Sequence, residues 1–216
     1  MITFKINGQP KQIPTSWEEV TYAQYIQLIH GPSLPAVISI FTGLPEETVT
    51  KAELKNLESV LIALGFLDTP PQLTGKSKMV GPYTMPDDVT IQSLGQFEDL
   101  RGLIQKLPKT DKYTIEDNLA ISDLYLEACA IYVQKIKDNA YDANRVPIVK
   151  EELKNYSCME VLQTGAFFLY RPITMSRSTT TRYRSIIQHL KKMLPDSPNY
   201  HAYLDSLLPS SKQAKR

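Results

Sequence analysis

Cysteine is scarce in this sequence, and the two present, Cys129 and Cys158, are far apart along the chain. Two cysteines are too few for a disulfide framework, and neither has a partner at zinc-ligand spacing. Because free cysteine is among the residues most often buried, we expect both to be buried, reduced thiols. We predict no metal site and no cofactor.

Long apolar runs are also missing. The longest, at residues 59–67 and 165–170, fall well short of the roughly 18 residues that a membrane helix needs. The first residues, Met-Ile-Thr-Phe-Lys-Ile-Asn-Gly, lack the basic start and apolar stretch of a signal peptide. We therefore expect no membrane partner and a cytoplasmic location.

Sequence motifs typical of catalytic sites are scarce. The three histidines have no metal-ligand spacing, and no Gly-x-Ser-x-Gly elbow occurs. Gly75-Lys76-Ser77 resembles the end of a phosphate-binding loop, but Pro70 stands where that motif needs glycine, so we interpret it as a basic turn. Adjacent acids such as Glu151-Glu152 point to different sides of a helix. We predict that the chain is not an enzyme; an enzyme with a hidden site is the rival hypothesis.

What the sequence does contain is helical periodicity across most of its 216 residues. Ile2-Thr-Phe-Lys-Ile6 alternates apolar and polar residues before Asn7-Gly8, which predicts a β-hairpin that pairs with residues 9–14. Apolar residues at helical spacing then predict helices near residues 22–29, 34–41, 54–64, 96–107, 115–137, 147–154, 158–170 and 183–194. Two Ser/Thr-x-x-Glu patterns, Thr50 to Glu53 and Ser157 to Glu160, predict capping boxes.

These elements predict a mainly α fold: a multi-helix bundle with a short N-terminal β-hairpin and an irregular middle linker rich in Pro and Gly. We divide the chain into a hairpin plus helical unit at residues 1–67, a linker at 68–95, a second helical unit at 96–208 and a disordered tail at 209–216. Whether this makes two lobes or one interrupted domain stays open.

Charge is distributed unevenly along the chain. Nine Lys or Arg against two Asp give residues 171–216 a net charge of +7, which leaves −6 for the rest of a chain whose total is +1. The candidate partner-binding surface consists of basic residues in this segment: Arg177, Arg182, Arg184, Lys191 and Lys192. A solvated helix face is the plainest interpretation. An acidic protein partner comes next and nucleic acid last, because no fold that reads bases is evident.

Two stretches, which together span residues 17–170, resemble proteins of tailed bacteriophages. The first runs from Trp17-Glu-Glu-Val-Thr-Tyr-Ala-Gln-Tyr through Ile40-Phe-Thr-Gly-Leu-Pro to Leu61-Ile-Ala-Leu-Gly-Phe, and it resembles the helical pattern of tail assembly chaperones. The second is similar to uncharacterised proteins encoded among phage structural genes, and it comprises Ile91-Gln-Ser-Leu-Gly-Gln-Phe-Glu-Asp-Leu, Asn118-Leu-Ala, Tyr141-Asp and Thr164-Gly-Ala-Phe-Phe-Leu.

The resemblance implies a non-catalytic assembly protein in the host cytoplasm. Such a protein would cover apolar or β-edge surface on a phage structural subunit and so prevent premature polymerisation. The alternative is a permanent virion component of the head–tail connector or ring, where a homo-oligomer would place the basic segment of one copy against the acidic body of its neighbour. The second alternative is a nucleic-acid-binding factor that acts through the basic C-terminal helix.

Overall fold

The computed structural model describes residues 1–52, 57–87, 90–91, 93–108, 114–170 and 174–175. The α-helices within these ranges are α1 (Tyr22–Leu28), α2 (Leu34–Thr42), α3 (Glu46–Thr50), α4 (Leu57–Leu64), α5 (Leu94–Lys106), α6 (Ile115–Asp138), α7 (Val146–Leu153) and α8 (Cys158–Tyr170). The strands are β1 (Ile2–Ile6), β2 (Gln9–Ile13), β3 (Met79–Val80), β4 (Tyr83–Thr84), β5 (Thr90–Ile91) and β6 (Thr174–Met175). The prediction of a mainly α fold with an N-terminal hairpin is confirmed.

The N-terminal hairpin forms where the sequence predicts it. β1 and β2 pair in antiparallel register from Ile2–Ile13 to Ile6–Gln9. Asn7 and Gly8 make the turn with φ of 49° and 79°, the positive values that a two-residue hairpin turn requires. The inward face of the hairpin packs on α2, α3 and α4 in a cluster of buried residues: Phe4, Ile6, Ile13, Val37, Ile38, Val49, Val60, Ala63 and Leu64.

A second and larger cluster of buried side chains is centred on α6. Residues 128–133 of this helix are all buried, because α7 and α8 pack on it and α1 and α5 add further contacts. α6 and α8 approach each other closely at Gly165 of α8, where an added Cβ would lie 2.1 Å from the backbone oxygen of Tyr125. Leu28, Phe41 and Phe66 pack against both clusters. The division of the chain into domains stays a prediction.

The middle segment contains more regular structure than the sequence analysis predicted. β3 and β4 form a small antiparallel hairpin around Gly81, and Val80 and Met85 are buried in the cluster around α6. β5 pairs in parallel with β6, which follows α8 in the sequence. α5 begins at Leu94, capped by the Ser93 hydroxyl, two residues before the predicted start.

One of the two predicted capping boxes is wrong, and the other lies partly outside the described residues. α8 does begin after Ser157, but the buried Ser157 hydroxyl has no hydrogen-bond partner. The Glu160 carboxylate instead accepts the backbone N–H of Gly81 at 2.9 Å, so a tertiary contact replaces the local one. Thr50 ends α3 and donates to the Glu46 carbonyl oxygen, whereas Glu53 is outside the described part of the chain.

Within the described ranges, none of the helices combines the length and apolar character needed to cross a membrane.

Candidate protein-binding groove

The candidate basic surface lies outside the described residues. This applies to Arg177, Arg182, Arg184, Lys191 and Lys192 alike. Both cysteines are buried and unpaired, as predicted, and burial raises the pKa of Cys158 to about 12. No metal-binding cluster of His, Cys, Asp or Glu occurs among the described residues.

Lys76, from the motif that resembles a phosphate-binding loop, closes a loop. Its side chain is only 10% exposed. Its amine donates to the Pro86 carbonyl oxygen and to Asp87 Oδ1 at 3.0 Å, and it lies 5.8 Å from the centre of the Phe167 ring. A lysine engaged in this way holds residues 76–87 together, which supports the interpretation as a basic turn.

A polar cluster around Glu152 fastens the β3–β4 hairpin to the helices. Tyr83 and Tyr156 both donate to Glu152 Oε1, at 2.8 and 2.9 Å, and the Lys137 amine lies 2.5 Å from Oε2. The Tyr156 ring also packs against Gly81, where a Cβ would come within 2.6 Å of the ring. Both carboxylate oxygens of Glu152 are therefore engaged within the chain, which indicates a structural role.

The pKa shifts in this cluster follow from those contacts. The Lys137 ammonium lowers the pKa of Glu152, and Glu152 in turn raises the pKa of Lys137. Burial first, and then the hydrogen bond to Glu152, raises the pKa of Tyr156 to about 12. Each pKa shift favours the protonation state that the group has at neutral pH, so the hydrogen bonds of this cluster are maintained at that pH.

An acidic groove lies between α5, α6 and α7. We define the acidic groove by the charged residues that line its cavity of about 330 Å³: Glu98, Asp99, Lys106 and Glu127. Tyr141 donates to Asp99, and Lys150 lies 3.3 Å from Glu127. Three carboxylates against one amine give the lining itself a net charge of −2, but Lys150 and Arg101 pair with Glu127 and Glu98 from beside the groove and offset much of this charge.

A second groove lies between α1, α6 and α8, on a different face of α6. We define the tyrosine groove by the residues that line its cavity of about 240 Å³: Tyr25, Pro70, Pro71, Leu73, Asn118, Ile121, Ser122, Tyr125, Leu162 and Tyr170. Its α6 residues lie three and four positions apart, so they share one helix face. Three tyrosines from three helices give this groove the aromatic character that is enriched at protein interfaces.

Hydroxyl groups line the floor and rim of the tyrosine groove. Tyr25 Oη and Ser122 Oγ are 3.4 Å apart, and Tyr125 Oη donates to Tyr170 Oη at 3.2 Å. The rings of Tyr125 and Tyr170 meet edge to face, with centroids 6.2 Å apart. Tyr170 remains 63% exposed, so the groove presents both an aromatic surface and hydroxyl groups that can bond to a ligand.

Residues 69–73, Thr-Pro-Pro-Gln-Leu, cross one side of the tyrosine groove, and we call them the strap. Trp17 Nε1 donates to the backbone oxygen of Thr69 at 2.9 Å. The indole itself is fixed by edge-to-face contacts with Tyr25 and Phe66, at centroid distances of 5.8 and 5.1 Å. Thr69 has φ −122° and ψ 133°, the extended conformation expected before proline.

Exposed apolar residues also occur on α4. Leu61 and Ile62 point outward from this helix, but isolated exposed aliphatic side chains are common on protein surfaces. Neither residue lines the acidic groove or the tyrosine groove. The tyrosine groove is the stronger candidate because it is concave, aromatic and only partly covered.

Sequence reasoning did not find the tyrosine groove. Tyr25, Tyr125 and Tyr170 are separated by up to 145 positions, and the sequence analysis assigned none of them to a binding site. Two signals were present: tyrosine is twice as frequent as phenylalanine, at 12 against 6, and Pro70-Pro71 marks an extended segment. Neither signal shows which tyrosines meet.

Comparison with protein-family models, with curated proteins and with solved structures found no match to this chain. The geometry of the tyrosine groove and the resemblance in sequence are therefore the grounds for proposing a function.

Proposed function

We propose that this chain is a non-catalytic bacteriophage assembly protein that binds a structural subunit in the tyrosine groove, in the manner of a tail assembly chaperone. The observation that carries the proposal is the groove itself, open along Tyr170 and Leu73. Tyrosine supplies a large contact area and a hydroxyl at a small entropic cost, which suits recognition of another protein. The phage setting is supported by the sequence resemblance alone.

The proposal is consistent with the structural roles of the polar side chains outside the tyrosine groove. Lys76 and Glu152 each bond to neighbouring segments of the same chain and hold the fold together. The Tyr125 and Tyr170 hydroxyls bond to each other, but both residues also line the cavity of the tyrosine groove, where a partner segment would meet them. A partner segment that entered this cavity would bury the exposed Tyr170 and Leu73 side chains, and burial of such aromatic anchors dominates many interfaces.

Pairwise co-expression with the capsid, connector and tail subunits of the same phage tests the proposal. We expect one subunit to co-purify with the wild-type chain and Tyr170→Ala to weaken that complex by about 2 kcal/mol, or roughly thirtyfold, the size of an interface hot spot. Isothermal titration of the purified pair measures the loss.

Ile148→Ala is the matched control. Ile148 and Tyr170 are both 63% exposed, but Ile148 lies on α7 and does not line the tyrosine groove. The control should retain wild-type affinity. If the two substitutions lower the affinity equally, or if Tyr170→Ala leaves it unchanged, the tyrosine groove is not part of the interface.

The alternative, a permanent component of the connector or ring, is supported by the acidic groove. The carboxylates of its lining, Asp99 among them, would attract residues 171–216, whose net charge is +7, between copies. Light scattering after size-exclusion chromatography tests this alternative at low and high salt, because salt screens such contacts. A ring component should give an oligomer that dissociates in salt and that Asp99→Asn weakens; a monomer at both salts contradicts this alternative.

A further inference from the structure

Among the residues that the structure describes, one hydrogen bond joins the strap to the helical body. Within the described part of the chain, its other hydrogen bonds stay inside residues 66–74, such as Thr69 N to Phe66 O at 3.4 Å and Gln72 Nε2 to Pro70 O at 3.3 Å. Pro70 and Pro71 have no N–H to donate. The strap therefore rests on the tyrosine groove through apolar contacts and the bond from Trp17 Nε1 to Thr69 O.

This contact has the chemistry of proline-rich peptide recognition. An extended proline segment makes no internal backbone hydrogen bonds, so its carbonyl oxygens are available to a donor on the receptor. An indole N–H that donates to the carbonyl before Pro70, beside tyrosines that line the same cavity as the prolines, is such a receptor surface. The chain thus carries both the receptor and a ligand-like segment.

We infer that the strap occupies the site where an extended, proline-containing segment of the partner binds. The partner segment displaces the strap and accepts the hydrogen bond from Trp17 in its place. This inference rests on the proposed function and adds the chemical class of the ligand. With the strap in place, the cavity of about 240 Å³ is smaller than an ordinary ligand pocket. Displacement of the strap would lengthen the groove, so that several residues of a partner could bind.

A sensitive reporter of displacement is already present. Trp17 is the only tryptophan in the sequence, so intrinsic tryptophan fluorescence reports directly on the indole that holds the strap. Loss of the strap would expose the indole to water and shift its emission to longer wavelength. Binding of a replacement segment would reverse that shift.

The experiment uses the full chain, the wild type beside the variant Pro70→Gly/Pro71→Gly, and a synthetic peptide as probe. The peptide is Leu-Asp-Thr-Pro-Pro-Gln-Leu-Thr, residues 67–74 of this chain. Glycine makes the strap more flexible and so weakens its competition. We expect the variant to show red-shifted emission that the peptide reverses, and to bind the peptide about tenfold more tightly than the wild type.

Two further measurements decide the outcome. A peptide with both prolines replaced by alanine should bind at least several-fold more weakly. Trp17→Phe, read by the anisotropy of a fluorescein-labelled peptide, should also weaken binding, because phenylalanine keeps a ring but loses the donor. Equal affinity of the two peptides, or of the wild type and the glycine variant, would overturn the inference. Absence of peptide binding would do the same.

The peptide test needs no phage subunit. If the peptide fails while a subunit still binds and Tyr170→Ala weakens that complex, the proposed function stands and only the ligand class is wrong. If the peptide binds but no subunit does, the strap inference stands and the phage assignment falls.

Discussion

Gly165 allows α6 and α8 to approach more closely than any larger residue would permit. An alanine Cβ would lie 2.1 Å from the Tyr125 backbone oxygen, far inside contact distance, and a backbone atom cannot rotate away. We expect Gly165→Ala to lower the free energy of unfolding by about 3 kcal/mol, at the upper end for overpacking, because the two helices must separate. Urea denaturation measures the change.

Gly102→Ala is the control for that prediction. Gly102 is also inside a helix, α5, but an added Cβ there has no heavy atom within 4 Å. Alanine has the higher helix propensity, so this substitution should leave stability unchanged or raise it by up to about 1 kcal/mol. A loss of similar size at both glycines would show that the crossing of α6 and α8 is looser than described.

Glu152 gives the protein a testable dependence on pH. Lys137 lowers the folded-state pKa of Glu152 below its ordinary 4.5, so its stabilising contribution is present above that pH and is lost as the pH falls. We expect Glu152→Gln to cost on the order of 1 kcal/mol at pH 7 and much less near pH 3. Denaturation curves at both pH values measure the difference.

Glu151→Gln separates the Glu152 effect from a general loss of charge. Glu151 is more exposed than its neighbour, and it pairs with Lys154 three residues along the same helix region. A surface pair of this kind contributes little, so the control should change stability by less than about 0.5 kcal/mol at either pH. Identical pH profiles for the two variants would contradict the role given to Glu152.

At the scale of elements, the loop over residues 76–87 depends on one buried amine. Lys76→Met keeps the length of the side chain but removes the donor to Pro86 and Asp87. We expect faster amide hydrogen exchange across β3 and β4 and a loss of about 1–2 kcal/mol in the free energy of unfolding.

Lys78→Met is the companion substitution for Lys76. Lys78 lies on the same segment with its side chain exposed. Exchange in β3 and β4 should therefore stay at the wild-type rate. If Lys76→Met also leaves this exchange unchanged, the amine is not what closes the loop.

Local patterns predicted those elements whose signals are themselves local. Asn7-Gly8 makes the first hairpin turn as predicted, and α1 begins with a capping box formed by Thr21 and Gln24. The Ser157 box failed because Glu160 bonds to Gly81, which is 79 positions away. A pattern of four residues carries no information about a competitor so distant in sequence.

At the scale of the whole molecule, the tyrosine groove could not be predicted because four separate segments build it. Each of Tyr25, Tyr125 and Tyr170 has the spacing of a core residue on its own helix. Only the packing of α1 and α8 on α6 decides which rings remain open to a partner. The basic residues that the sequence did single out lie beyond the described part of the chain.

Hydrogen exchange on the complex with the co-purified structural subunit tests the central claim most directly. The account predicts slower exchange on binding across residues 118–125 and 162–170, which line the tyrosine groove, with α7 unchanged. It also predicts a change at residues 69–73 as the strap is covered or displaced. Protection confined to α7 or to residues 177–192, with none in the tyrosine groove, would contradict it.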